Sequence, residues 1–329
     1  MNATADTISA PRSPVDSEGH RRFWLERSDP PTSDDVTLAL PDGCIDELDR
    51  TFDRSPGDDG ARKLQDGLAD GGAPGADALP GTARFAAEVR ERLAHAPGAV
   101  LVDRFPAERW TDEQNRAACG LFSALVGPLM AQDHAGTLLY DVMDKRDASA
   151  VRRSVTNLDQ RFHTDGGWVE APARYIGLYC IRPAASGGHS LLTSLLAARD
   201  GLRREGREAA LETLSRALPW DRQGEHAEGE RTWSLEPVFV EDEDGFLARF
   251  YESYVRGGYD KRGEAVPQDV DAALSTLADA IDAQPAVRFK LEAGHYQYVN
   301  NYTLVHAREA FDDERGGRAG RRLIRVWHR

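Results

Sequence analysis

Cysteine and methionine are scarce in this chain of 329 residues, with three of each. Cys44, Cys119 and Cys180 are odd in number, widely spaced and form no CxxC pair. That excludes a disulfide framework and a thiolate zinc ribbon, and points to reduced thiols in a reducing compartment. No apolar run approaches the ~20 residues of a membrane span. The first residues, MNATADTISAPRSPVDSEGHRR, lack the basic start and apolar stretch of a secretory leader. Basic residues are in deficit as well: 41 Lys and Arg stand against 55 Asp and Glu, a formal net charge of −14. Neither nucleic acid nor an anionic membrane suits such a surface. A soluble, cytoplasmic protein is expected, and an apolar share of 40% is enough for one large domain or two small ones.

What is present is unevenly spread. Residues 1 to about 35, rich in Pro, Ser and Asp, suggest a mobile arm, and 55–80 a Gly/Asp/Pro loop interrupted by at most one short helix. Residues 1–80 are thus set apart as a variable, partly disordered segment, and 81–329 as the folded domain. Apolar spacing predicts a helix from Thr82, its N-cap, and a buried strand at 98–103. A second helix, capped by Thr111, ends at Gly127-Pro128. Strands are predicted over 174–182, 189–193, 235–240, 246–251, 287–292, 296–300, 302–307 and 323–328. Helices are predicted over 194–204, 207–218 and 270–283. A mixed α/β (α+β) protein with a β-barrel or β-sandwich core wrapped by helices follows.

The chemistry centres on Phe162-His163-Thr164-Asp165-Gly166-Gly167-Trp168. In an extended segment His163 and Asp165 project from one face, offering a nitrogen and an oxygen to one ion. Two histidines and one carboxylate make the open-sided site of non-heme Fe(II). Three further histidines are candidates for the second imidazole: His189, His295 and His306. His306, at the end of an apolar strand, is best placed. Fifteen residues on comes Arg321, which shares a strand face with Leu323 and Arg325. Arginines inside an apolar strand are costly to bury unless they meet an anion, and a carboxylate co-substrate suits a guanidinium.

In the segments 98–106, 151–168, 187–194, 300–308 and 321–327 the chain resembles the taurine dioxygenase-like Fe(II)/2-oxoglutarate-dependent oxygenases, of the clavaminate synthase-like superfamily. The resemblance covers roughly residues 82–329. It implies a double-stranded β-helix (jelly-roll) core flanked by helices, with His163, Asp165 and His306 as iron ligands. It further implies Arg321 as partner of the distal 2-oxoglutarate carboxylate, and Ser190 where relatives carry a threonine, with Thr193 as the fallback. Arg325 falls where relatives have a second basic residue near substrate or co-substrate.

The cofactors implied are Fe(II), 2-oxoglutarate and O2. The reaction implied is hydroxylation of an unactivated C–H, with release of succinate and CO2. A carboxylate at Asp165 favours hydroxylation over halogenation; desaturation, epoxidation or cyclisation by the same oxidant stay open. Trp168, Glu170, Arg249, Tyr251 and Arg256 are candidate substrate contacts, and such a mixed set suits a free amino acid or a related metabolite. Asn301 and Thr303 either orient ligands or satisfy a turn. The rival classes are a non-catalytic metal-dependent sensor, which leaves the arginines without a purpose, and a zinc hydrolase, for which no HExxH helix supplies the base. The sequence leaves the oligomeric state open.

Overall fold

A computed structural model of the chain describes residues 16–69, 74–144, 156–242, 245–313 and 320–329. The chain opens with α1 (Ser17–Trp24), β1 (Thr37–Ala39), α2 (Asp42–Arg54), α3 (Gly57–Ala69) and α4 (Pro80–Ala94). It continues through β2 (Ala99–Asp103), α5 (Asp112–Val126), β3 (Leu129–Met130) and β4 (Leu139–Val142). Next come β5 (Gln160–His163), β6 (Tyr175–Arg182), β7 (Ser186–Gly187), β8 (Ser190–Ser194), α6 (Leu195–Arg204) and α7 (Glu208–Leu214). Then follow β9 (Leu218–Asp221), β10 (Trp233–Glu236), β11 (Phe239–Asp242), β12 (Gly245–Ala248), α8 (Glu252–Arg262) and α9 (Gln268–Asp282). The last stretch holds β13 (Val287–Phe289), β14 (Tyr296–Asn300), β15 (Leu304–Arg308), β16 (Phe311–Asp312) and β17 (Arg322–His328).

Two sheets carry the site. The larger runs β1-β2-β14-β6-β17-β3, with β4 also on β17, and the smaller runs β13-β8-β15-β5. Alternation divides each strand between two layers. On the large sheet, Tyr296, Tyr298, Tyr179, Ile324 and Val326 pack outward with residues of α2 to α5. Ile176, Leu178, Val299, Leu323 and Trp327 share an inner layer with Leu192, Val287 and Leu304 of the small sheet. The small sheet turns Val305 outward into a third cluster built largely from α6, α7, α8 and α9. Burial on both faces explains why β2 and β6 read as nearly continuous apolar runs.

Several local expectations are corrected. Thr82 lies inside α4, whose N-cap is Leu79 with Pro80 following; its hydroxyl instead donates to Glu47 Oε2. The helix expected over 207–218 stops at Leu214, because Leu218 begins β9. Pro237, with no N–H for a ladder, divides the strand expected at 235–240 into β10 and β11. The strand expected through Tyr251 ends at Ala248; Tyr251 caps α8, a helix the sequence pattern did not suggest. Part of the N-terminal arm forms α1, which buries His20 and Trp24, and α3 is thirteen residues long. Residues 151–155, quoted in the resemblance, lie outside the described residues. Among the described residues no helix is long and apolar enough to cross a membrane.

Candidate active site

His163 ends β5 and His306 lies on β15, and the two are direct partners in the antiparallel register. That pairing turns 143 residues of sequence separation (306 − 163) into rings whose centroids are 4.2 Å apart. Asp165 follows two residues beyond His163. Its Oδ1 lies 3.5 Å from His163 Nε2 and 3.7 Å from His306 Nε2. All three side chains are buried, and their ligand atoms fall within 4.8 Å of one another. The carbonyl of Arg161, 2.8 Å from His163 Nδ1, accepts a hydrogen bond from that nitrogen and leaves the Nε2 lone pair directed inward. Gln160 Nε2 now caps that lone pair at 2.8 Å. Three electron-pair donors around one point repel unless a cation lies between them, so the donor set fits a metal ion.

The electrostatics agree. Burial opposes the charged form of Asp165, but the guanidinium of Arg325, with Nη1 at 3.1 Å from Oδ2, holds its carboxyl far below the ordinary carboxylate range. Burial, aided by the neighbouring His163, pushes His306 down to about 3 against the pull of Asp165. One carboxylate and a neutral His306 are the protonation states metal binding needs.

The loop that carries Asp165 is tied down from several sides. Asn301 accepts from the Asp165 backbone N–H at 2.8 Å through Oδ1 and donates to the carbonyls of Asp165 and Ala173 through Nδ2. Trp327 Nε1 donates to Asp165 Oδ2 at 2.9 Å. Thr164 exchanges hydrogen bonds with the backbone of Phe250. The two glycines that follow permit close packing. Gly166 has φ +66°, and a Cβ on Gly167 would stand 2.5 Å from the ring of Trp220.

Behind the triad, a narrow cavity of about 40 Å³ between the two sheets is lined by Ser190, Gln297, Arg308, Arg321 and Arg325 among others. Arg321 is 5% exposed, its guanidinium sits 5.1 Å from the Phe311 ring, and its Nη1 has no partner among the described residues. Ser190, opposite Arg308 in register, also faces this cavity. Thr193 points the other way, its hydroxyl donating to the carbonyl of Pro285. Arg325 also holds Gln132 Oε1 through Nε at 2.7 Å.

On the far side of Trp327 a cleft of about 440 Å³ is lined by Gln132, Trp168, Glu170, Glu225 and Glu236 among others. Of the other residues expected to meet a substrate, Arg249 is 2% exposed and engaged by the Glu170 carbonyl and the Glu236 carboxylate. Tyr251 stacks obliquely on His163 at 5.0 Å. Arg256 is paired with Glu252 of α8 and Asp271 of α9, and Thr303 is buried near Gly98. His189 pairs with Glu309 and His295 with Asp103, which takes both away from the triad. Sequence reasoning passed over Gln132, Gln160 and Gln297 and gave Trp327 no role. Alternation along Tyr296–Asn300 was the available signal for Gln297, a polar residue on an inward row.

Fold and site define a mixed α/β protein with a buried two-histidine, one-carboxylate cluster between its sheets. The family model described as "Taurine catabolism dioxygenase TauD, TfdA family" matches residues 62–327. The chain belongs to that dioxygenase family. It is 30% identical over 169 residues to the taurine hydroxylase-like protein SAT17 of Stachybotrys chartarum, a match covering 50% of this chain and 41% of that protein. The chain thus spans less than half the length of that relative. It is 25% identical over 253 residues to the FR-33289 synthase of Streptomyces rubellomurinus, covering 74% of this chain and 72% of the relative. Among solved structures it is similar in fold to an asparagine oxygenase in complex with Fe(II), (2S,3S)-3-hydroxyasparagine and succinate. The TM-score is 0.64 at 18% identity, covering 89% of this chain and 93% of that one. It is likewise similar to the non-heme iron oxygenase OrfP in complex with Fe and α-ketoglutaric acid, with TM-score 0.62 at 17% identity and coverage of 89% and 93%.

Proposed function

We propose that the protein is an Fe(II)- and 2-oxoglutarate-dependent dioxygenase that hydroxylates an unactivated C–H of an amino acid or amino-acid-derived small molecule, with release of succinate and CO2. The observation that carries this reading is the cavity itself: it joins the three converging ligand atoms to the buried Nη1 of Arg321, which has no partner among the described residues. A buried guanidinium with a free donor is costly unless an anion completes it. The two sheets are then the halves of a double-stranded β-helix within 81–329, on which the preceding helices pack. The fold neighbours support the substrate class, since the asparagine oxygenase structure holds a hydroxylated amino acid and another OrfP structure holds (3S)-hydroxy-L-Arg.

In this reading His163, Asp165 and His306 hold the iron, which with the 2-oxo acid and O2 supplies the oxidising chemistry when bound. Arg321 receives the distal carboxylate, with the Ser190 hydroxyl beside it. Arg325 and Trp327 fix the outer oxygen of Asp165, and Arg325 sits close enough to the metal-proximal end to meet an acid group there. Asn301 and Arg249 hold the loop between Asp165 and Glu170 rather than the substrate, which occupies the cleft beside Trp168 and Glu170. The cavity is narrower than a five-carbon diacid, so side chains must move on binding. Gln160, which caps His163 Nε2, is the first that has to leave. The chain's own work is positioning and exclusion of water.

Anaerobic addition of Fe(II) and 2-oxoglutarate should give a weak visible charge-transfer band. Folded protein that gives none refutes the proposal. Arg321→Ala should weaken 2-oxoglutarate binding about tenfold or more while leaving metal affinity in place. A screen of amino acids for substrate-dependent succinate formation, with products read by mass for one added oxygen, identifies the substrate.

A further inference from the structure

Gln297 is a polar side chain in an apolar row. On the large sheet it sits directly between Leu101 of β2 and Leu178 of β6. Val299, Ile176 and Leu323 belong to the same inner layer. It is 1% exposed, and its Oε1 has no partner among the described residues. A buried amide atom without a hydrogen bond carries a desolvation penalty that an apolar side chain of the same shape would not. The chain therefore keeps a glutamine where packing alone favours a leucine or methionine.

What the glutamine faces is the cavity shared by the triad, Ser190 and Arg321. Register says which end of that cavity. Leu178, the neighbour of Gln297, pairs on its other side with Arg325, whose guanidinium holds Asp165. Gln297 is thus level in the sheet with Arg325, which reaches the carboxylate ligand, whereas Arg321 lies four residues before Arg325, just ahead of β17. A half-turn of the amide exchanges oxygen for nitrogen without changing its shape, so an N–H donor can occupy the place where Oε1 now finds no partner.

We infer that Gln297 is a further binding residue for the co-substrate, donating from its amide nitrogen to the metal-proximal carboxylate of the 2-oxo acid whose distal end meets Arg321. The inference rests on the proposed function and adds a contact from the large sheet that neither the triad nor the arginine supplies. It also explains why the polar side chain is tolerated in this layer: its partner arrives with the ligand.

The test uses Gln297→Met, which keeps the length and shape of the side chain, and Gln297→Glu, which adds a negative charge. Affinity for 2-oxoglutarate is measured by anaerobic calorimetry on Mn(II)-loaded protein, and the melting temperature is taken on metal-free protein. Gln297→Met should bind 2-oxoglutarate roughly tenfold more weakly and melt no lower than the natural chain. Gln297→Glu should bind more weakly still, through repulsion of the carboxylate. Unchanged affinity in folded Gln297→Met overturns the inference, and a lowered melting temperature with unchanged affinity assigns the amide a structural role instead. Should the methionine variant fail to fold, unchanged affinity in Gln297→Glu has the same force. If the natural chain binds no 2-oxoglutarate, the proposed function falls and this contact with it. If the natural chain binds and the variants bind equally well, only Gln297 is removed.

Discussion

At Asp165 the side chain faces two ways: Oδ1 looks toward the two imidazoles, and Oδ2 is held by Trp327 Nε1 at 2.9 Å and Arg325 Nη1 at 3.1 Å. The outer pair fixes the carboxylate's rotation, so the inner oxygen is already aimed before any ion arrives. Trp327→Phe removes one of these bonds while keeping most of the ring volume. It should weaken metal binding by about 10- to 100-fold, measured by Mn(II) or anaerobic Fe(II) titration, with little change in the fold. An unchanged metal affinity would assign the aim of Asp165 to Arg325 alone. How much of this was readable in sequence depends on distance along the chain. The pair His163 and Asp165 is local, and the periodicity of an extended segment is enough to see it. The choice of His306 over His189 and His295 was not settled by residue type. It follows from strand register, together with the carboxylates Glu309 and Asp103 that occupy the other two rings. Gln132 and Trp327 act through long-range polar contacts, which leave no spacing to recognise.

Among the elements, the short turn after β5 bears the strongest steric demand. Gly166 adopts a positive φ beside the Trp327 ring, and Gly167 faces Trp220, which is fully buried and held by its Nε1 to the carbonyl of Glu236 at 2.9 Å. A methyl group on Gly167 meets a ring that cannot step aside, so the turn carrying Asp165 must shift. Gly167→Ala should cost about 1–3 kcal/mol in chemical denaturation and should also weaken metal binding. A variant as stable as the natural chain would mean that Trp220 yields. The capped helix α5 was visible for a clear reason: Thr111 and Gln114 form a reciprocal capping box, a local pattern. By contrast α8 was missed because Glu252–Arg262 buries few residues and contains two glycines, so no apolar stripe marks it. In α1, Asp16 accepts from the Gly19 N–H, but composition around it spoke for a mobile arm; the buried Trp24 and His20 depend on partners far along the chain.

On the scale of the whole molecule, two buried histidines outside the His163, Asp165 and His306 cluster tie separate layers together. His20 joins α1 to the end of β8, with Nδ1 at 3.3 Å from Ser194 Oγ. His328, at the end of β17, faces the Gly127 carbonyl at 3.3 Å, where α5 stops. Burial pushes both imidazoles down to about 4, against a weaker upward pull from Asp16 on His20 and from the Gly127 carbonyl on His328. The sign follows from proton counting. Between the ordinary histidine value of 6.5 and the folded value near 4, the unfolded chain binds more protons than the folded one. Stability is therefore full above that window, falls as pH drops through it, and levels off for these two groups below about 4. Each histidine contributes at most about 3 kcal/mol to that fall. Asp165 and His306 are shifted by burial and their charged neighbours as well, so the contribution is isolated by difference in metal-free protein. His20→Gln and His328→Gln should each flatten the decline in denaturation free energy between pH 7 and pH 4.5 relative to the natural chain. If neither variant changes that slope, these imidazoles are solvated in the folded state, and the docking of α1 and the closure of β17 onto α5 are looser than the packing here requires.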